Sequence, residues 1–431
     1  MVSRILELRR LLRNRYLPPE ELKELQEGKL RAVFGHAYES VPYYRTLFRS
    51  AGLTPQDVRT LEDLKQVPIT SKEALRAAGV EGALTEGVDP SSCLVSLSSG
   101  STGKPFAAYH NAREAQTRTL VGFRALHTAG VRPWDRLVSF GPRAQPPSLM
   151  SRLGLYRTYS LSVSRSLAVE EQIQHLKRIQ PTVLRIAPSK LRAILHHHDY
   201  RLSEIVRPRI LISSSEVLDD GLKKRVLADL DAEFFNFYVC TEFAELASDC
   251  RAHEGLHVNA DQLIVECLDD NGQPVEPGKP GVVVVTSLYG FVMPFIRFRL
   301  GDICTPIEGR CSCGSTFPLI SAPLGRQDDV LRLPSGKILS TANLGVIIKT
   351  IDGVDQYRYT QESLDHFVLQ LVLWKHPGQE TLAQVRKQVL DYLGEPVSFD
   401  IEIVDRLPED KGKFRRFISK VPPPDPTDPQ E

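Results

Sequence analysis

No stretch of this chain stays apolar over the ~18–20 residues that a membrane-spanning helix requires. Neither sign of charge is in excess: 54 Lys and Arg against 53 Asp and Glu leave a formal net charge of +1. No global field therefore draws the chain to nucleic acid or to an anionic membrane surface. Cysteine is sparse, seven residues and so an odd number among 431, which gives no sign of a disulfide framework and points to a reducing cytoplasm. The opening segment, Met-Val-Ser-Arg-Ile-Leu-Glu-Leu-Arg-Arg-Leu-Leu, lacks the uninterrupted apolar core of a signal peptide and reads as an amphipathic helix. No internal repeat is present.

What remains is an ordinary globular composition, 42% hydrophobic and 25% charged. At 431 residues the chain exceeds the size at which one core keeps growing, so two or more domains are expected. Residues 1–80 read as helical, with Leu8, Leu11, Leu12, Leu22, Leu25 and Leu30 at helical spacing and Pro18, Pro19, Pro42 and Pro68 as breaks. Between 112 and 238 strands alternate with helices: helix 112–129, strand 136–140, helix 169–179, strand 182–186, helix 190–198, strand 209–213, helix 219–230 and strand 233–238. This alternation predicts an α/β fold with a largely parallel sheet, whose ligands lie at the carboxyl ends of the strands. From about 260 the pattern turns to β, with strands at 262–267 and 281–287, and a small α+β segment follows Gly325. The expected division is residues 1–326, a small C-terminal domain at 327–420, and a Pro-rich disordered tail at 421–431.

The densest chemical signal is Ser98-Ser99-Gly100-Ser101-Thr102-Gly103-Lys104-Pro105. Hydroxyls and backbone amides in such a loop can turn inward on a phosphate, and Lys104 adds a mobile positive charge. It is not a Walker A loop: Pro105 follows the lysine, two residues separate the glycines, and strands flank it on both sides. Tyr238-Val-Cys-Thr241-Glu242 follows a strand, where a ring can cover a base, a hydroxyl can hold a phosphate and a carboxylate can hold Mg²⁺. The segment Met293-Pro-Phe-Ile-Arg297-Phe-Arg299-Leu-Gly301-Asp302 turns on Gly301 to present Asp302, whose carboxylate can accept both hydroxyls of a ribose. Ser213-Ser214-Ser215-Glu216 ends another strand, Gly325-Arg326-Gln-Asp328 is a plausible hinge, and Lys411-Gly412-Lys413 forms a basic turn.

Cys250, Cys311 and Cys313 with His257, or with its rival His253, make a Cys₃His set suited to a closed structural zinc site. The run His196-His197-His198 reads as a solvated helix end, because consecutive helical residues point in different directions.

In their order along the chain these motifs resemble the adenylate-forming superfamily, and more closely its phenylacetate–CoA ligase-like and CapK-like branch. That branch carries Ser-Ser-Gly-Ser/Thr-Thr-Gly-Lys-Pro, Tyr-x-x-x-Glu, Gly-Leu/Tyr-His-x-x-x-Asp, Met-Pro-x-Ile-Arg-x-x-x-Gly-Asp and Cys-x-Cys-Gly, here at 98–105, 238–242, 255–261, 293–302 and 311–314. The resemblance spans about residues 30–420. It implies a large adenylating domain with a small mobile one, and activation of a carboxylic acid, expected to be aromatic, by ATP, with transfer to coenzyme A. Amines, hydroxyls and carrier-protein thiols are the alternative acceptors, and an inactive nucleotide- or zinc-binding scaffold is the reading outside enzymology. The residues from Ser98 to Lys104 would close over the ATP phosphates, Tyr238 would stack on adenine, and Thr241 and Glu242 would handle phosphate and Mg²⁺. Asp302 would bind ribose with Arg326 nearby. Ser214, Ser215 and Glu216 would border adenine and acyl group, Asp328 would be the hinge, and Lys413 would bridge carboxylate and α-phosphate. Because relatives carry Gly-Leu/Tyr-His, the resemblance favours His257 as zinc ligand, and because relatives are often dimeric, a homodimer is a candidate assembly. Two departures stand out: Val239 replaces a frequent Gly, and Leu333-Pro-Ser-Gly-Lys follows the hinge, which leaves the acceptor less defined than the adenylation.

Overall fold

The computed structural model describes residues 2–98, 105–141, 157–162, 169–197, 201–218, 220–269, 271–327, 330–349, 351–408 and 414–421. Six of the seven residues from Ser98 to Lys104, together with Asp328, Lys413 and the tail from 422, thus lie outside the described residues. The chain divides into two units, one of residues 1–187, 203–215 and 232–323, the other of 188–202, 216–231 and 324–431.

The first unit is built on a nine-stranded sheet. Its parallel part runs Arg157–Ser162, Arg136–Gly141, Val183–Ile186, Ile210–Ser214, Glu233–Cys240. Antiparallel strands continue it: Ala244–Ser248, Leu256–Val258, Leu319–Ile320 and Pro306–Ile307. Four of the five parallel strands follow the alternation of strands and helices in the sequence, within one or two residues at most ends. Arg157–Ser162, Ala244–Ser248 and Leu256–Val258 were not anticipated. Ala-Glu-Leu-Ala-Ser has no β-branched or aromatic residue, and it is strand only because it hairpins back on Glu233–Cys240. A second antiparallel sheet contains Leu263–Leu268, Gly281–Ser287 and Phe298–Cys304, and a hairpin of Leu94–Leu97 with Ala107–His110 brackets residues 98–106.

Helix Ala112–Thr128 lies on the parallel sheet. A capping box starts it: Asn111 accepts from Glu114 N while Glu114 accepts from Asn111 N. Ala125 and Ala129 pack on Leu137, Val183, Ile210, Ile212, Phe235 and Phe237, one face of four neighbouring strands. The same helix carries a deeply buried charge. Arg124, 1% exposed, forks onto both oxygens of Asp261 at 2.8 and 2.9 Å, and also donates to Leu11 O and Asn259 Oδ1. Asn14 and Lys29 complete the cluster by donating to Asp261 Oδ2 and to its carbonyl. Burial alone would raise the Asp261 carboxyl, but the Arg124 guanidinium holds it below the usual carboxylate range.

The second unit is α+β. Its sheet runs Ser398–Ile403, His366–Leu373, Val354–Ser363, Phe417–Ser419, with helices Ala342–Lys349 and Gln379–Leu393 over a core of Leu344, Leu369, Leu371, Val385 and Leu393. Helix Asp220–Asp229 packs so close to Val354–Ser363 that a Cβ on Gly221 would fall 1.5 Å from Val354 O. Only glycine allows that approach. Among the described residues no helix is long and apolar enough to cross a membrane.

Burial pulls Lys29 down from 10.5 to about 8, against the attraction of Asp261. Between those values the unfolded chain binds more protons than the folded one, so this group's contribution to stability rises with pH. Lys29→Met removes the term. The stability of the variant relative to the parent is therefore expected to fall by up to about 3 kcal/mol as denaturation is repeated from pH 7.5 to 10.5. A pH-independent difference would refute the assignment.

Candidate active site

The polar residues of the first unit gather where the parallel strands end. Cys240 pairs with Ala244, so Thr241-Glu242-Phe243 is a three-residue hairpin loop. Ala244 takes φ +57°, a left-handed conformation that costs a non-glycine residue of the order of 1 kcal/mol and that the pairing on both sides imposes. This turn drives Glu242 inward to 3% exposure. Lys72 Nζ lies 2.9 Å from Glu242 Oε1, in ion-pair contact but off hydrogen-bonding alignment, so that oxygen has no hydrogen bond. Lys72 is placed by its neighbours: Thr70 bridges Phe298 in the second sheet, and Ser71 caps the short helix Lys72–Ala77.

Arg118 holds the loop from the other side. Its two terminal nitrogens donate to Thr241 O and Glu242 O, each at 2.7 Å. Beside it, burial and then the charge of Arg118 hold His110 down at about 3, so this 6%-exposed imidazole stays neutral. Tyr289 donates to Phe243 O and closes the back of the turn.

Tyr238 and Asp302 come from different sheets and meet. The phenol donates to Asp302 Oδ2 at 2.6 Å, and burial pushes the Tyr238 hydroxyl well above its usual range. The ring, 6% exposed, packs in the core, so the hydroxyl end is what it offers to Asp302. Arg297, 3% exposed with φ +42°, is a structural strut bound to Glu266 and to the carbonyls of Lys65 and Val67.

Ser214 ends its strand with its hydroxyl accepting from Arg185 Nε at 3.2 Å, and Ser215 turns the chain at φ +74°. In the second unit Glu216 accepts from Ser189 N and Oγ at 2.9 and 2.8 Å, anchoring the start of helix Pro188–His197. Arg326 stands on the short strand Gly325–Arg326 of the same unit. Ser98 Oγ accepts from Phe106 N and so closes the mouth of the Gly-rich loop.

The four expected zinc ligands converge. The sulfurs of Cys250, Cys311 and Cys313 and the nearest nitrogen of His257 all lie within 4.8 Å of one another. Cys250 Sγ to Cys311 Sγ is 3.5 Å, and Cys313 Sγ to His257 Nε2 is 3.3 Å. A tetrahedral zinc with ordinary bond lengths separates its ligands by about 3.5–3.8 Å, so the cage fits that ion. His257 Nδ1 lies 3.2 Å from Phe317 O, a bond that fixes the tautomer presenting Nε2 to the cage. Gly314 follows at φ +80°, donating back to Cys311 O. His253 points elsewhere, with Nδ1 2.8 Å from Asp249 Oδ2. Burial pushes the Cys311 thiol up to about 12 and raises Cys250, as expected of thiols that lose their protons only to a cation.

Lys72 and Arg118 are the site residues that the motifs did not reveal. Lys72 lies in a capped helix start, Pro-Ile-Thr-Ser-Lys-Glu, and Arg118 is one of several arginines on an amphipathic helix. Neither has a local signature; only tertiary packing brings them to Glu242.

This fold and site define an AMP-binding enzyme: the chain belongs to that family, which it matches over residues 15–293, and residues 331–420 match the CapK C-terminal domain. The chain is 28% identical over 386 residues to the phenylacetate–coenzyme A ligase of Thermus thermophilus, covering 85% of this chain and 86% of that one. It is 26% identical over 429 residues to the enzyme of the same name from Pseudomonas putida, covering 93% and 94%. Its fold is similar to that of a solved structure of 2-hydroxyisobutyryl-CoA ligase, with a TM-score of 0.77 at 20% identity over 95% of this chain and 91% of that one.

Removing one partner of a buried ion pair strands the other charge. Lys72→Met is therefore expected to cost about 3 kcal/mol in chemical denaturation, and Glu242→Gln added to it to restore most of that loss. Additive effects of the two substitutions would show that the pair is not coupled.

Proposed function

We propose that this protein is an AMP-forming acid–CoA ligase that activates a carboxylic acid, aromatic in the first instance, with ATP and passes the acyl group to coenzyme A. The observation that carries the reading is the convergence of Glu242, Tyr238 and Asp302 at the strand ends of a chain similar along most of its length to phenylacetate–CoA ligases. In this reading residues 1–326 form the adenylating domain, and 327–420 a mobile domain that turns about Asp328 between the two half-reactions.

The acid's carboxylate attacks the α-phosphorus of ATP, forming the acyl-adenylate and releasing pyrophosphate. Charge then spreads over phosphoryl oxygens, so catalysis is positioning and electrostatic stabilisation rather than covalent help from a side chain. Ser98, Ser99, Gly100, Ser101, Thr102, Gly103 and Lys104 embrace the phosphates. Asp302, oriented by the Tyr238 hydroxyl, takes the ribose, with Tyr238, Ser215, Glu216 and Arg326 bordering the nucleotide. Thr241 contacts phosphate, and Lys413 bridges the reacting carboxylate and the α-phosphate.

Glu242 suits Mg²⁺, since its Oε1 is buried without a hydrogen bond and a lysine now supplies the countercharge. Bound there, the ion would neutralise phosphate charge. Arg118 keeps Thr241 and Glu242 at fixed height throughout by holding their carbonyls. The Cys250, His257, Cys311 and Cys313 cage is closed, so zinc in it would be structural, and Arg15, which approaches Cys313 Sγ and binds Thr128, would tie the N-terminal arm to it. The cytoplasm is the compartment this chemistry suits, and a homodimer is compatible with it.

Pyrophosphate release from MgATP is expected with a member of a panel of aryl and alkyl acids, AMP and thioester appearing when coenzyme A is added. Lys413→Ala is expected to slow pyrophosphate release by ~10²–10³-fold. ATP that binds but is never cleaved with any acid would favour the scaffold reading, and adenylation without coenzyme A consumption would point to another acceptor.

Metal analysis of the purified protein is expected to find one zinc per chain. Its removal by chelation, or Cys311→Ala, should lower the melting temperature by several degrees. A metal-free protein of equal stability would refute the zinc assignment.

A further inference from the structure

Between helix Ala112–Thr128 and the sheet lies an apolar layer of Ala125, Val183, Ile212, Phe235 and Phe237. Two charged residues interrupt it. Arg185 follows Val183 by two and so shares its side of the strand. Its Nη2 lies 3.0 Å from Glu245 Oε1, its Nε donates to Ser214, and its guanidinium stands 5.6 Å from the centre of the Phe237 ring. The side chain of Glu245 is 9% exposed and that of Arg185 21%, so the pair opens on one side.

Three facts argue against a purely structural role. A buried ion pair contributes little net stability, since apolar replacements of similar volume do as well or better. The pair is incomplete, because among the described residues no further group bonds Arg185 Nη1 or Glu245 Oε2, leaving a donor beside an acceptor. Space is also kept for them: a Cβ on Gly122 would lie 3.2 Å from Glu245 Oε2, and glycine in mid-helix otherwise costs stability. Gly122 follows Arg118 by one helical turn, about 6 Å along the axis, so one face of this helix meets both the loop carrying Thr241 and Glu242 and the pair.

We propose that Arg185 and Glu245 read a hydroxyl group on the acid being activated, so that the substrate is a hydroxy-substituted carboxylic acid rather than an unsubstituted one. This inference rests on the ligase reading and names its substrate class. A hydroxyl satisfies both members at once, accepting from Arg185 and donating to Glu245. A second carboxylate meets the charge of Glu245, an ammonium meets that of Arg185, and an alkyl or aryl hydrogen leaves both desolvated without a partner. Because a site built to bond a hydroxyl strongly rejects the analogue lacking it, Arg185 and Glu245 would set specificity rather than rate.

The test uses the full chain with MgATP and matched acids: phenylacetate against its ring-hydroxylated forms, and short-chain acids against their hydroxy counterparts. Pyrophosphate release is followed for the parent and for the double variant Arg185→Met, Glu245→Leu. The parent is expected to favour one hydroxylated acid over its unsubstituted partner by about 100-fold or more in kcat/KM. The double variant is expected to keep its melting temperature and to lose or reverse that preference, a change that loss of a mere packing contact would not produce. Equal use of each matched pair by the parent overturns the proposal while leaving the ligase reading intact. So does a preference that survives in the double variant. No pyrophosphate from any acid removes the ligase reading itself, and the proposal with it.

Discussion

The first unit is organised around one guanidinium. Arg124 is too deep to reach water, and a buried charge must be matched where it lies. Its partners come from two other parts of the chain: Leu11 on the N-terminal helix, and Asn259 and Asp261 after the strand Leu256–Val258. Phe317 covers it at 5.1 Å, just beyond the cysteine cage. Satisfying this one group sets the axial position of its helix. On that helix stand Arg118 and Gly122, which hold the Thr241–Glu242 loop and leave room at Glu245.

From that placement the site acquires its two kinds of polar chemistry. Above the strand ends, Glu242 is driven inward by a hairpin whose left-handed Ala244 is held by its pairing with Cys240. Below, Arg185 and Glu245 interrupt an otherwise apolar layer. In the proposed ligase the first arrangement meets a cation and phosphates, the second a neutral polar substituent. Both depend on strands of the parallel half ending at one edge, which is where α/β sheets collect their ligands. The cysteine cage stands apart from this chemistry: its four side chains face one another and join the segment 250–257 to the turn 311–314.

The motif residues were legible because each needs a particular side chain at a short spacing. Tyr238, Thr241, Glu242 and Asp302 could be picked out, and so could Cys311-x-Cys313 with Gly314, whose positive φ the turn requires. Most of the parallel half of the fold was legible too, since its strands alternate with helices of amphipathic period. The strands Ala244–Ser248 and Leu256–Val258 were not, because the first carries no strand preference and the second is only three residues long, so that pairing makes them strands. Lys72 and Arg118 stayed hidden for a related reason. A lysine after a helix cap and an arginine on a helix face are common, and they acquire meaning from a carboxylate and two carbonyls more than 120 residues away.

By itself the sequence determined the class of the fold, the order of most of its elements and, through motifs of particular side chains at short spacing, the family. These follow from local rules: periodicity, turn residues and the donor or acceptor character of particular side chains. Only the tertiary structure decided that Tyr238 bonds Asp302, that His257 rather than His253 joins the three cysteines, that Arg297 is a strut, and that Arg185 meets Glu245 beneath Gly122. Those outcomes depend on which faces are buried against each other. Burial is a property of the whole packed chain, in which a charge is stabilised only by whatever partner the fold brings within reach.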